Sequence, residues 1–450
     1  MRRRLFAFTV CALAAVVLAA GCASIDPISA PPAETGSADF TKLAVLGTSV
    51  SAGFQNNGLA ESRQLRSYAA LLAGQLGKDI VSHGASAAQT GEFVIPGYGD
   101  PGSSGTLELT SLVPAVISPI TVTGNPVNTT YQAAYNNLGV PGALLGDALN
   151  TVTMGSANPF FDLVLRGQGT MLQQAAALQP TFVLVELGSN DVLGAVTRDA
   201  PTTPVATFEE QFRQLVGDLL ALESAPKLAV MNVPEVTSIP FATTVPPFVV
   251  NPATNLPVLV DGNLVPLIGP EGPLTLPSAS GPGDLVTIGA ISLMKQGVGI
   301  PIPLGGAGTP LPDAVVVSVA ELEVIAQRVI AYNQIIATVA AEDGLVVVDL
   351  NRLLREIAAE GVKIGGLEYT KEFVSGGVFS LDGVHPADIG HAILANEVIR
   401  TFNEAYGAKI PLVDLRAVAG VSAGSAKTGG ATWQALSGAA IDALLESPAF

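Results

Sequence analysis

The chain has 450 residues, of which 48% are hydrophobic, 13% charged and 5% aromatic, with 48 Gly and 32 Pro. So much apolar material excludes wholesale disorder and allows one large domain or two ordinary ones. The 38 acids against 21 bases give a formal charge of −17, a field that repels phosphate backbones and argues against a nucleic-acid partner. Mean hydropathy is positive, at +0.47. Past the first two dozen residues, however, Gly, Pro, Ser and Thr break the apolar runs before they reach the length of a membrane span.

The N-terminus reads as a removable address. Arg2, Arg3 and Arg4 precede an uncharged apolar run over residues 5–20, which ends in Leu18-Ala19-Ala20-Gly21-Cys22. Small residues ahead of a cysteine suit a signal peptidase that must close on the backbone. The stretch resembles a bacterial lipobox, with Ala19 where Leu is commonest. That resemblance implies removal of residues 1–21, acylation of Cys22 and, because Ala23 rather than Asp follows, sorting to the outer membrane of a bacterial envelope. The other cysteine, Cys11, lies within the leader, so no intrachain disulfide is expected. Residues 22–40, rich in Ser, Pro, Ala and Gly, read as a flexible tether.

The body is expected to be one domain over residues 41–412. Residues 42–46 form a buried-strand pattern that stops at Gly47-Thr48-Ser49, and residues 68–76 read as a helix. Residues 181–187 are a second apolar strand, bounded by Gly188-Ser189-Asn190-Asp191; a helix over 208–222 and a third strand over 227–231 follow. Residues 319–342 form a long helix, then come a strand at 345–349, a helix at 352–360 and a final amphipathic helix over 387–406. Such alternation implies right-handed crossovers and a parallel sheet covered on both faces. Two stretches, 84–130 and 238–312, break the rhythm and read as insertions, functional covers or small irregular subdomains. The second carries an echo, 255–260 beside 263–268, that suggests a hairpin. Over the tail, 413–450, a small-residue linker leads to a short helical pattern at 433–445.

Four blocks stand at element ends, where a parallel sheet presents its ligand site. They are the loop from Gly47 to Gly53, the run Asn137-Leu138-Gly139-Val140-Pro141-Gly142, the turn Gly188-Ser189-Asn190-Asp191, and Asp382-Gly383-Val384-His385-Pro386. A serine, two candidate oxyanion donors and a close Asp-x-x-His pair together point to acyl transfer. Ser51 is a rival nucleophile. The three histidines stand far apart in sequence and Cys22 is taken by lipid, so no metal site and no cofactor are expected.

In order and content the blocks resemble the SGNH, or GDSL-type, hydrolase family over about residues 42–410, with the two insertions extra. The resemblance implies a three-layer α/β/α flavodoxin-like fold. It also implies Ser49 as nucleophile, Asp382 and His385 as the paired acid and base, and Ser49, Gly142 and Asn190 as the oxyanion donors. Family position favours Ser49 over Ser51. Asn232-Val233-Pro234 and Tyr332-Asn333 also look like larger members. Thr48 departs from the pattern, since the family usually has Asp before its nucleophile. Restoring Asp there is expected to stiffen the serine loop and raise turnover. The expected function is a surface-anchored serine esterase or lipase acting on acyl esters, whose partners are the ester substrate and the membrane. A carbohydrate acetylesterase and a catalytically weak outer-membrane scaffold are the alternatives, and the apolar insertions are expected to line an acyl pocket or lid.

Overall fold

Aliphatic runs without polar alternation can only be accommodated where both faces of a strand are buried. Four such runs, with the short segment Asn137–Gly139 at one edge, build the centre of this protein. The computed structural model describes residues 33–83, 91–112, 115–420 and 436–449. The expected leader, Cys22 and the first part of the tether lie outside these, as do residues 421–435 of the tail.

The strands are β1 (Leu43–Gly47), β2 (Asn137–Gly139), β3 (Phe182–Glu186), β4 (Lys227–Met231) and β5 (Val346–Val348). They lie in the order β2-β1-β3-β4-β5, and every neighbouring pair is parallel. This is the expected α/β fold with a central parallel sheet. The chain steps one way from β1 to β2 and the other way from β1 through β3 to β5. Right-handed crossovers therefore put helices on both faces, and the reversal opens a crevice at the carboxyl end of β1. Register sets its depth, because Gly47 stands opposite both Gly139 and Glu186.

The helices that matter here are α1 (Ser49–Ala52), α2 (Tyr68–Gln75), α3 (Pro159–Leu165), α4 (Met171–Leu178), α5 (Asn190–Thr197), α6 (Val205–Leu220), α7 (Val319–Asp343), α8 (Leu350–Glu360), α9 (Asp388–Tyr406) and α10 (Gly438–Leu445). Helices α2 and α9 pack on each other, as do α4 and α6, and α6 and α7. The start of α7 is set by a capping box in which Ser318 and Glu321 exchange hydrogen bonds. Among the described residues α7 is the one helix long and apolar enough by composition to cross a membrane, a run that the reading of the sequence passed over. Its Ile325, Val329, Tyr332, Ile336 and Val339 are buried in the domain, and Tyr332 stacks on Phe208 of α6 at 3.9 Å between centroids. It is a core helix.

Within the first insertion Leu107–Leu112 and Ala115–Pro119 pair as an antiparallel hairpin. The second forms three two-residue ladders, and the echo yields the expected hairpin, with Leu259 opposite Leu264 and Val260 opposite Asn263. Helix α10 packs on both insertions, through the strand Ala115–Pro119 and the short helix Ala290–Lys295. It buries Ala440, Ile441 and Leu444 in doing so.

The packed body begins earlier than residue 41, where it was expected to start. From Glu34 onward the chain is fastened to the body: Lys409 N–H donates to the Glu34 carbonyl at 2.7 Å and Ser37 N–H to that of Tyr406 at 2.9 Å. Phe40 then enters the core, with its ring centroid 4.6 Å from Phe182 and 5.6 Å from Phe402. A single aromatic side chain explains the difference, because burying it outweighs the freedom of the small residues before it. Phe40→Ala is accordingly expected to lower the unfolding free energy by about 3–5 kcal/mol in urea titration. A free tether residue would give no change.

Candidate active site

Strand β1 ends at Gly47, and the chain turns at once into α1, so Ser49 stands at the head of the crevice. The Ser49 Oγ lies 2.8 Å from His385 Nε2. On the other side of the ring, Nδ1 lies 3.0 Å from Asp382 Oδ2. All three side chains are almost wholly buried. Serine and histidine are separated by 336 positions in the chain, and the approach of the loop before α9 to the end of β1 joins them.

Asp382 is held by backbone as well as by the imidazole. Its Oδ1 accepts from the N–H groups of Val384 and His385, both at 2.9 Å, and its Oδ2 from Asn57 N–H at 2.8 Å. Burial pushes this carboxyl up, but His385 and these N–H groups outweigh it and hold it below its ordinary value. A carboxylate kept ionised fixes the imidazole with Nδ1 protonated and Nε2 free to accept from serine. Phe54 packs on the His385 ring at 4.9 Å and limits its swing.

The expected oxyanion donors come from the neighbouring strand ends. Asn190 opens α5 after β3 and lines the cavity at Ser49, and its Nδ2 donates to the Ala143 carbonyl at 2.9 Å. That bond ties Asn190 to the residue after Gly142. Gly142 has φ +79°, and a Cβ there would stand 2.1 Å from the Pro448 carbonyl oxygen. Glycine is required there by its left-handed backbone and by the C-terminal segment pressed against it.

Ser51 is occupied elsewhere. Its Oγ lies 2.8 Å from Glu186 Oε2 and 2.6 Å from the Tyr68 hydroxyl. Glu186 was missed in the sequence, where the signal was slight: one acid closing an otherwise apolar strand, Phe-Val-Leu-Val-Glu. It also takes Thr48, whose N–H and Oγ1 each lie 3.0 Å from the carboxylate. Burial pushes the Glu186 carboxyl up, and these donors pull it part of the way back. The geometry reverses the expectation for Thr48→Asp, which would set a second carboxylate against a buried first.

The cavity itself is apolar. Ser49, Asn190 and His385 stand at one part of its wall, and Leu350, Leu353, Leu354 and Ile357 of α8, with Phe379 and Leu394, supply much of the rest. Its empty volume, mouth included, is about 800 Å³. Of the two insertions, only Ile239 of the second reaches it. Helices α8 and α9 line it, because a helix after β5 lies directly beside the crevice, while the first insertion lines a second cavity through Tyr98, Ser103, Ile120 and Pro126, beside Phe54 and Phe160. Asn232-Val233 and Asn333 form a clamp between β4 and α7, with Val233 N–H donating to Asn333 Oδ1 at 2.7 Å. One acidic trio, Asp199, Asp313 and Glu321, brings its oxygens within 4.8 Å of one another and could hold a cation. It shares no residue with the cavity at Ser49.

The central parallel sheet thus carries a buried Ser-His-Asp relay at its switch point. The pattern of the GDSL-like Lipase/Acylhydrolase family matches residues 43–398, and the chain belongs to that family. No curated protein matches the chain. Among solved structures it is similar to LAE5, an alpha/beta hydrolase enzyme from the metagenome of Lake Arreo, Spain. The identity is 13% and the TM-score 0.33, with 81% of this chain and 96% of that one covered. It is also similar to a protein assigned as a GDSL-like lipase from Parabacteroides merdae ATCC 43184, at 13% identity and TM-score 0.26, over 60% of this chain and 71% of that one.

Two buried groups beside the site titrate in opposition. Asp191 accepts from Thr203 Oγ1 at 2.7 Å and from Leu145 N–H at 2.9 Å, yet burial raises its carboxyl from 3.8 to about 6. His391 is buried on α9, with Nδ1 accepting from Tyr68 N–H at 3.3 Å; burial lowers it from 6.5 to about 4. The stability Asp191 contributes is full below 3.8 and lost as pH rises through about 6. That of His391 is full above 6.5 and lost as pH falls through about 4. Relative to wild type, Asp191→Asn should therefore lose stability on acidification between those limits and His391→Gln should gain it. Urea unfolding at several pH values checks this, with slope differences of at most about 1.4 kcal/mol per pH unit; curves parallel to wild type would refute it.

Proposed function

We propose that the protein is a serine esterase that hydrolyses carboxylic esters of apolar acids through an acyl-enzyme intermediate. The reading rests on one observation: the Ser49–His385–Asp382 relay opens into an apolar cavity. His385 Nε2 takes the Ser49 proton as Oγ attacks the ester carbonyl, then returns it to the departing alkoxide. Asp382 holds the imidazolium that forms in between. Water, deprotonated by the same nitrogen, then releases the acid and restores Ser49.

The negative oxygen of each tetrahedral intermediate is assigned to the N–H groups of Ser49 and Gly142 and the Asn190 amide. Such donors contribute about 3 kcal/mol each to the transition state. The leucines of α8 offer nothing to a sugar ring, so an acyl chain suits the cavity better than a polysaccharide. The scaffold alternative rested on Thr48, and that residue is fully engaged with Glu186. We place the enzyme in a bacterial envelope, on a lipid at Cys22 and in the outer membrane, on the strength of the leader sequence.

Ser49→Ala and His385→Ala are each expected to cut turnover of a p-nitrophenyl ester by about 10⁴-fold or more at unchanged melting temperature. Wild-type turnover by folded Ser49→Ala would remove the nucleophile. Leu354→Trp, which fills the cavity from α8, should cut activity on the octanoate ester by about tenfold or more relative to the acetate. Loss of both in equal proportion would place the acyl chain elsewhere. Cys22→Ser should free the protein from membranes, and absence of a fatty-acid label on the wild type would defeat the anchor.

A further inference from the structure

Beneath the nucleophile loop sits a carboxylate that the proposed reaction does not use. Glu186 closes β3 at the level of Gly47 and is 1% exposed. Its Oε2 accepts from Thr48 N–H at 3.0 Å, Ser51 N–H at 3.3 Å and Ser51 Oγ at 2.8 Å, while Thr48 Oγ1 lies 3.0 Å from both of its oxygens. The contacts fall on both sides of Ser49 in the chain, so the nucleophile stands between two residues anchored to one group. Space for the anchor is reserved as well: a Cβ on Gly47 would lie 1.9 Å from Ser51 Oγ and 3.0 Å from Glu186 Oε2. Tyr68 completes the set. With the Ser51 proton directed at Glu186, the phenol 2.6 Å away donates to Ser51 Oγ.

We propose that Glu186 is the positioning residue of the nucleophile loop, doing from β3 what an acid at position 48 would do from the loop itself. The inference rests on the esterase reading, because it gives Glu186 its effect through Ser49. Two backbone N–H groups and two hydroxyls on one rigid strand-end carboxylate fix the direction of the Ser49 Oγ toward His385. A reacting atom misplaced by about 1 Å loses about 10²-fold in rate. Glu186 does not touch the cavity, so its effect belongs in kcat and not in KM.

The experiment is an exchange of carboxylates, read as kcat and KM on a p-nitrophenyl ester and as the rate of Ser49 phosphonylation by a fluorophosphonate, per folded molecule. Glu186→Gln presents an amide NH2 to N–H donors, and its kcat should fall about 10- to 100-fold with KM near wild type. Thr48→Asp alone should also lose activity, because two carboxylates then face each other in a buried site. The double variant, Thr48→Asp with Glu186→Gln, should exceed either single variant by about tenfold, as one carboxylate again serves the loop. A purely structural Glu186 would lower the melting temperature and leave kcat per folded molecule unchanged, and that result overturns the proposal. So does a double variant no better than the worse single one. If Glu186→Gln does not fold, the double variant Thr48→Val with Ser51→Ala removes both hydroxyl bonds to Glu186 from the other end, and wild-type kcat in it overturns the proposal equally. Wild-type protein inert to both ester and fluorophosphonate would overturn the esterase reading and this inference together. An active wild type with unaffected variants would overturn this inference alone.

Discussion

Three strand ends at one level carry the whole arrangement. Gly47 stands opposite Gly139 on one side and Glu186 on the other, so the loops after β1, β2 and β3 leave the sheet together. Helix α1 lies directly across those ends because glycine leaves room for it: a Cβ on Gly139 would stand 2.6 Å from the Ala52 nitrogen. Asn137 fastens the crossing, with its Nδ2 donating to the Ser51 carbonyl at 2.7 Å and its Oδ1 accepting from Gly139 N–H at 3.0 Å. A slip of one residue in either pairing would turn every side chain to the opposite face. Ser49, Asn190 and Glu186 would then no longer converge.

Convergence at that level leaves three carboxylates in dry surroundings, where an unpaired charge is costly. Each is treated differently. Asp382 has an imidazole and three N–H groups and stays ionised. Asp191 has one N–H and one hydroxyl and is raised by burial to about 6. Glu186 has two N–H groups and two hydroxyls but no cation among the causes that shift it, and burial keeps it raised. Of the three, only Asp382 is held below its ordinary value, and only it faces an imidazole.

What could be read in the sequence follows from how local each signal is. Strand β4 and helices α2, α6 and α7 came within a few residues because period and caps lie inside the segment. The four motif blocks were legible for the same reason. Strand β2 was not, since three residues including a glycine carry no period, and only pairing with β1 makes Asn137–Gly139 a strand. Glu186 was hidden likewise: its partners lie 135 and 138 positions away. Thr48 read as a deficit because its complement sits on another strand. Residues 22–40 show the reverse error, in which the composition of a segment outweighed the residues that pack, Ala38 and Phe40.

The cavity shows a further limit of pattern reading. Leu350, Leu353, Leu354 and Ile357 recur at helical spacing, which in an amphipathic helix ordinarily means a face sealed against the core. Here Leu353 and Ile357 are buried while Leu354 is partly open, and all four line empty space beside Ser49. Spacing can report that a helix face is apolar, but not whether protein or ligand covers it. That is decided by what lies opposite, and here it includes Phe379 and Leu394 at a distance that leaves a gap. On the side of Gly142 the Pro448 carbonyl lies against the glycine, and Pro448 with Phe54 and Phe160 also lines a second cavity. Under the proposed esterase reading, the apolar face of α8 beside Ser49 is where an acyl chain would lie.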